Sequence, residues 1–243
     1  GLTSHYFNNV TLDGSPVLQR VEAVNFELFN NAPATGVAAD DFSVRWFGQV
    51  EAPVTGGYQF QTLSDDGVRL WVNGVQLINN WTDHAATTDT SVSINLTAGT
   101  KYNLVLEFYE RGGYATAKLL WKLPATSAFV IVPANRLYAL TNVAQGKSVS
   151  SSSSAEITGL WSRPFATDGI ISAVNKYGWS SNNNLTANHS EWVMVDLGSN
   201  YAINQIGLAP RRDGVNAGYG FPIDFTIQFS TDNVNWSTVV NRT

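Results

Sequence analysis

Cysteine is absent from the 243-residue chain. Disulfides and thiolate metal sites are therefore excluded, and any metal must be held by oxygen or imidazole donors. The absence is compatible with a bacterial secreted protein. Charge is also scarce. Only 14% of residues are Asp, Glu, Lys or Arg, with 14 basic against 19 acidic and a formal net charge of −5. The basic residues form no dense run, which argues against a nucleic-acid footprint. No basic amphipathic stretch suits a membrane surface, and no apolar run approaches the roughly 18 residues needed to span a bilayer as a helix. The three histidines, His5, His84 and His189, have no His or Cys neighbour at metal-ligand spacing. No Gly-X-Ser-X-Gly elbow occurs. Gly146-Lys147-Ser148 looks like the end of a phosphate loop, but Thr141 stands where its first glycine should be. The sequence offers no catalytic constellation.

What the chain has in quantity is aromatic residues, with 8 Trp, 9 Tyr and 12 Phe, and short alternating runs broken by Gly, Asn and Asp. No helix-length window carries a 3.6-residue period, so the expected class is all-β, a sandwich or barrel of many short strands. Phe42 to Val50, Tyr58 to Leu63, Ser91 to Leu96, Tyr102 to Tyr109 and Ala115 to Leu123 read as strands, and Asn79 to Thr90 reads as a polar and aromatic loop. Val68, Leu70 and Val72 alternate with Arg69 and Trp71, the period of a half-buried strand. Asn73-Gly74 supplies the positive-φ pair of a tight turn, and Val75, Leu77 and Ile78 begin the return strand.

At the mouth of that hairpin stand two adjacent acids, Asp65-Asp66. Neighbouring side chains on an extended strand point to opposite faces, so both carboxylates can grip one ion only if the backbone kinks between them. A cis peptide supplies such a kink. Donors of this kind suit Ca²⁺, which takes roughly 6–8 oxygen ligands. The alternative is a solvated turn in which the first Asp caps backbone N–H groups and Gly67 adopts the left-handed conformation. Glycoside hydrolysis needs two carboxylates roughly 5–9.5 Å apart across a bond, which covalent neighbours do not provide.

The run Ser64 to His84 resembles the core of the protective-antigen-type (PA14) domain. So do Gly1-Leu2-Thr3 leading to Tyr6-Phe7, then Phe42-Ser43-Val44-Arg45-Trp46-Phe47-Gly48, and Phe108-Tyr109-Glu110-Arg111-Gly112-Gly113-Tyr114-Ala115 through Trp121. The resemblance covers residues 1–140. It implies that Asp65 and Asp66, joined by a cis peptide, hold Ca²⁺ on which sugar hydroxyls bind, with further ligands from Glu110 and Gly112. Lectin members favour Asn, Gln or Asp where this chain has Glu-Arg-Gly-Gly. Trp81, Asp83, His84 and Arg111 are the candidate sugar contacts. For His84, packing on its own loop is the alternative.

Residues 141–243 are similar to the discoidin domain, the coagulation-factor V/VIII type C fold shared with carbohydrate-binding family 32. The similarity is carried by Asn142 to Lys147, Ala166-Thr167-Asp168-Gly169, Tyr177-Gly178-Trp179-Ser180-Ser181, Glu191 to Gly198, Pro210 to Asp213, and Phe221 to Asp232 with Trp236. It implies a jelly-roll sandwich with a structural Ca²⁺ at Asp168, aided by carbonyls from Ile170 to Asn175; an ordinary Asp-Gly turn is the alternative. It also implies a ligand end formed by Trp161, Arg163, the Asn182–His189 loop, Arg211, Arg212 and Tyr219. Trp179, Trp192 and Trp236 are expected in the core, and Arg211 has an ion-pair role as its alternative. Family members continue past Trp236 into strands that close the roll, so a fragment with its last strands missing is expected.

Together the resemblances imply tandem, non-catalytic carbohydrate-binding modules, Ca²⁺-dependent or Ca²⁺-stabilised, from a secreted bacterial polysaccharide-degrading enzyme. The expected partners are a glycan or polysaccharide and an attached C-terminal catalytic domain, without nucleic acid and without membrane insertion. An adhesin, or a pair of spacers shaping an enzyme's cleft, are the other readings.

Overall fold

The computed structural model describes residues 1–170, 178–182, 189–203, 205–211 and 218–243. The chain divides into two units, Gly1–Thr141 and Asn142–Thr243. Strand carries nearly all of the regular structure. Helix is confined, among the described residues, to the single 3₁₀ turns Ala134–Arg136 and Arg163–Ala166, and none is long and apolar enough to cross a membrane.

The first unit holds thirteen strands: β1 (Leu2–Phe7), β2 (Leu18–Glu22), β3 (Asn25–Phe29), β4 (Phe42–Glu51), β5 (Gly56–Asp65), β6 (Val68–Val72), β7 (Val75–Asn80), β8 (Thr87–Thr90), β9 (Ile94–Leu96), β10 (Lys101–Glu110), β11 (Ala115–Lys122), β12 (Val130–Ile131) and β13 (Leu137–Ala139). One sheet runs β2-β1-β4-β10-β6-β7, with β13 continuing beyond β1 along β4. The other runs β12-β11-β5-β8, with β3 also on β11 and β9 also on β5. Neither sheet closes on itself, so this is a sandwich and not a barrel.

Alternation explains the layering. In β4, Val44, Trp46 and Val50 are buried while Arg45, Phe47 and Gln49 face outward; in β11, Ala117, Leu119 and Trp121 are buried. The inward faces of both sheets merge in one core around Trp46, Phe108, Tyr58, Phe60 and Trp121. Phe26 bridges the layers, with ring centroids 5.8 Å from Trp46 and 5.6 Å from Phe108. Truncating a buried ring of this kind costs about 3–5 kcal/mol.

The hairpin β6–β7 forms on the expected turn, with Asn73 and Gly74 both at positive φ. A register shift opposite Leu70 and Trp71 sets Leu77 out of the ladder, which is why Leu77 and Ile78 break the alternation. Ser91 to Leu96 is not one strand. β5 spends two residues, Gln59 and Phe60, between its pairs with Thr90 and Ile94, while the partner chain spends three, Ser91 to Ser93. Ser91 fills the gap by accepting the Phe60 N–H on Oγ (2.9 Å) and donating its own N–H to the Phe60 carbonyl (2.8 Å). The expected loop Asn79 to Thr90 shrinks to 81–86, because β7 extends through Asn80 and β8 starts at Thr87.

The ends of the first unit meet. The Gly1 ammonium donates to the carbonyls of Ala134 (2.9 Å) and Leu137 (2.8 Å), and Thr3 Oγ1 donates to that of Leu140 (2.8 Å).

In the second unit, β14 (Ser148–Ser151) pairs with β15 (Val193–Asp196), and β16 (Phe225–Phe229) with β17 (Ser237–Arg242). The expected core position of two indoles does not hold: Trp192 is 53% and Trp236 42% exposed. Each directly precedes a strand, β15 or β17, that carries apolar residues on both faces, a pattern that marks a strand without saying which face is covered. Trp179 is half-buried and donates Nε1–H to the Ser153 carbonyl at 3.0 Å.

Candidate functional site

Three carboxylates converge at one end of the first unit. Asp65 ends β5, Asp66 opens the turn to β6, and Glu110 ends β10. One oxygen of each lies within 4.8 Å of the others. The Asp65–Asp66 peptide is cis, and both acids belong to the cluster. Gly67 is not left-handed. It is required for another reason: a Cβ there would lie 2.3 Å from Cε1 of Tyr109.

The cluster is costly as it stands. Like charges at this separation repel by on the order of 3 kcal/mol per pair at an effective dielectric near 20. Glu110 is fully buried, and neither carboxylate oxygen makes a regular hydrogen bond among the described residues. Burial pushes its carboxyl up to about 8, reinforced by the charges of Asp66 and Asp65, while the nearby Gly112 N–H acts in the opposite direction. Burial, then the charge of Asp66, also pushes Asp65 above the ordinary carboxylate range. A buried acceptor with no donor in regular hydrogen-bond geometry, grouped with two further carboxylates, fits a cation with oxygen preference.

Loops around the cluster are pinned to it. Asp66 accepts the His84 N–H on Oδ1 (2.8 Å) and the Arg111 N–H on Oδ2 (3.0 Å), so one side chain fastens two loops. Arg111 pairs with Asp83 (Nε to Oδ2, 2.9 Å), and the Tyr109 hydroxyl donates to Asp83 Oδ1 at 2.6 Å. Together these hold the Asp83 carboxyl below its usual range. Trp81 packs edge-on against Tyr109 with centroids 4.7 Å apart, and the Arg69 guanidinium lies 3.9 Å from its ring centroid. Trp81 is therefore half-buried and clamped between neighbours rather than a free stacking surface. Gly112 is exposed in the same loop, and the Gly113 N–H donates to Asp40 Oδ1 at 3.2 Å.

The structure thus gathers Asp65, Asp66, Glu110, Trp81, Asp83, His84 and Arg111 into one rim, with Gly112 on the loop that closes it. Sequence reasoning missed Tyr109, Arg69 and Asp40. Tyr109 adjoins Glu110 on the same strand, and Asp40-Asp41 is a second acid pair just before β4; these were the available signals.

In the second unit, Asp168 Oδ1 accepts the Ile170 N–H at 2.8 Å, the geometry of an Asp-Gly turn. Residues 171–175, expected to add carbonyls, lie outside the described residues. The Arg211 guanidinium sits 5.6 Å from the Trp161 ring centroid. Arg163 pairs with Glu156 at 3.0 Å and donates Nε–H to Ser151 Oγ at 2.9 Å, so it braces its own loop. Tyr219 is 78% exposed. Asn182 donates its N–H to Ser153 Oγ at 3.0 Å and His189 lies 3.4 Å from Glu191; the residues between them, and Arg212, lie outside the described residues.

Residues 1–135 match the PA14 domain family. The chain belongs to that family. In this PA14 protein the second unit matches the F5/8 type C domain over residues 148–243. The chain is 37% identical over 138 residues to the anti-sigma-I factor RsgI3 of Acetivibrio thermocellus. That match covers 57% of this chain and 21% of the relative, so the PA14 protein spans about a fifth of the curated relative it matches. A solved anti-sigma factor domain-containing protein is 34% identical with a TM-score of 0.55, covering 65% of this chain and 55% of that one. Another, from Clostridium clariflavum, is 29% identical with a TM-score of 0.54, covering 65% and 56%.

Proposed function

We propose that the PA14 protein recognises glycans without turning them over, and that Asp65, Asp66 and Glu110 hold a divalent cation, Ca²⁺ by donor chemistry, at the recognition site. The observation that carries this reading is the buried, unpartnered Glu110 carboxylate facing the acid pair at a loop-lined rim. When bound, the ion supplies positive charge and coordination positions for sugar hydroxyls. The chain's own residues do the rest. Asp66 fixes the loops carrying His84 and Arg111, and the Asp83–Arg111–Tyr109 set holds the wall in place.

The second unit adds Asp168 as a Ca²⁺ ligand that stiffens its loop, and Trp161, Arg211 and Tyr219 as sugar contacts. Two weak sites on one chain raise affinity for a polymer through effective concentration. The setting is extracellular and bacterial. The anti-sigma names of the similar proteins favour a regulatory chain, in which glycan capture informs a signal. The pairing of these two domain types supports a second reading, accessory modules of a polysaccharide-degrading enzyme with its catalytic domain C-terminal.

Isothermal calorimetry with Ca²⁺ tests the site: Asp65→Asn with Asp66→Asn abolishes uptake by the first unit, and unchanged uptake refutes the assignment. Affinity electrophoresis through soluble polysaccharides, with Ca²⁺ or chelator, tests recognition; mobility indifferent to every polymer in Ca²⁺ refutes it. A kinase, protease or hydrolase domain in the adjoining sequence, or a sigma-binding segment, separates the two settings.

A further inference from the structure

Only two aromatic side chains of the first unit stand open to solvent. Phe29 and Tyr114 are each 61% exposed; its other rings are buried or half-buried. The two meet edge to face, centroids 5.8 Å apart at 75°, a favoured arrangement that fixes each ring against the other. Phe29 ends β3 at a φ of 50°, uncommon for a large side chain, and Tyr114 directly precedes β11.

Register places this pair beside the carboxylates. Ala115 of β11 faces Phe29 on one side, and Thr116 faces Asp65 on the other. Phe29 and Asp65 thus flank β11 at the same end, about two strand spacings or roughly 10 Å apart. Tyr114 also closes the loop that starts after Glu110, the loop whose Arg111 N–H is bonded to Asp66.

We infer that Phe29 and Tyr114 form a stacking platform for a second ring of a bound oligosaccharide, whose neighbouring ring sits at the carboxylate cluster. The inference rests on the glycan reading above and goes beyond it by requiring a chain of linked sugars. A sugar ring has an apolar C–H face suited to an exposed aromatic, and hydroxyls suited to the polar groups next to it. A protein partner fits less well. Two rings offer far less than the roughly 800 Å² per side of a standard interface, and their surroundings are charged, with Lys118 paired to Glu27 at 2.5 Å on the adjoining strands.

The test uses the full chain. Affinity electrophoresis in Ca²⁺ through a soluble β-glucan, xylan, galactomannan and pectin selects the retarding polymer. Calorimetry then compares its monosaccharide and tetrasaccharide. Phe29→Asn, chosen because Asn tolerates positive φ, combined with Tyr114→Ala is expected to weaken tetrasaccharide binding about tenfold or more, leaving the monosaccharide and Ca²⁺ uptake unchanged. Tyr114→Trp alone retains tetrasaccharide binding. Equal tetrasaccharide affinity in the double variant and parent overturns the platform while leaving the glycan reading intact. Equal losses for both sugars overturn the separate second position. A parent retarded by none of the polymers overturns both inferences together.

Discussion

The two units handle the same raw material, short strands rich in aromatic and branched residues, in different ways. Every fully buried apolar side chain among the described residues lies in the first unit, from Leu2 to Leu137. In the second, Thr167 is the buried residue, while Trp192, Leu208, Tyr219, Ile223, Val234 and Trp236 are exposed. Its described strands form two-stranded pairs, and isolated pairs are marginally stable. The contrast teaches that alternation specifies a strand but not a core, which needs a second layer to cover the apolar face. The first unit has that layer, and it can therefore hold three carboxylates at its rim.

The largest expected difference between the units is in their response to losing an indole. Trp46→Ala lowers the stability of the first unit by about 3–5 kcal/mol, whereas Trp236→Ala stays within about 0.5 kcal/mol of the parent. Denaturant unfolding measures both, and comparable losses would erase the contrast. Next comes the cation. Ca²⁺ at 100-fold over its Kd adds about 2.7 kcal/mol to whatever it binds, and we expect chelation to lower the melting temperature of the first unit. The Glu110→Gln variant should lose that Ca²⁺ response. A smaller effect is expected from Gly67→Ala, whose Cβ meets the Tyr109 ring at 2.3 Å. Overpacking of this kind costs about 1–3 kcal/mol, and near-ultraviolet circular dichroism should show the Trp81–Tyr109 pair disturbed.

The smallest effect belongs to the second unit. The Asn235 N–H and side chain hold the Asp232 carboxyl far below its usual range, helped by the Val234 N–H and Ser230. Its folded value lies below its unfolded one, so its contribution is present above about pH 4 and fades as pH falls through the folded value. Asp232→Asn should remove that acid-side loss, as followed by NMR of the β16–β17 hairpin.

Local signals were legible because their causes are local. Asn73-Gly74 announces its turn, alternation announces β4 to β6, and Asp65-Asp66 announces carboxylates that share a site. The partners of these features come from afar and were harder to read. Trp81 looked like a sugar platform, yet Arg69 and Tyr109 enclose it across strand boundaries that no local pattern reveals. Ser91 reads as strand, but its hydroxyl takes a ladder position and splits β8 from β9. Phe29 and Tyr114 are far apart in the chain and become a pair only when β3 joins β11. For Trp192 and Trp236, the discoidin resemblance suggested burial, but nothing in their spacing identifies a covering layer.

Register along β4 also separates the carboxylate cluster from the ends of the first unit. Glu110 lies opposite Phe42 at one end of that strand, while Leu137 lies opposite Val50 at the other, about 27 Å away at the usual rise per residue. Both chain ends of the first unit gather at the Val50 pole, as the Gly1 and Thr3 hydrogen bonds show. The carboxylate cluster and the joined ends of the unit thus stand at opposite poles of one strand, so the bonds that seal the unit share no residue with the rim.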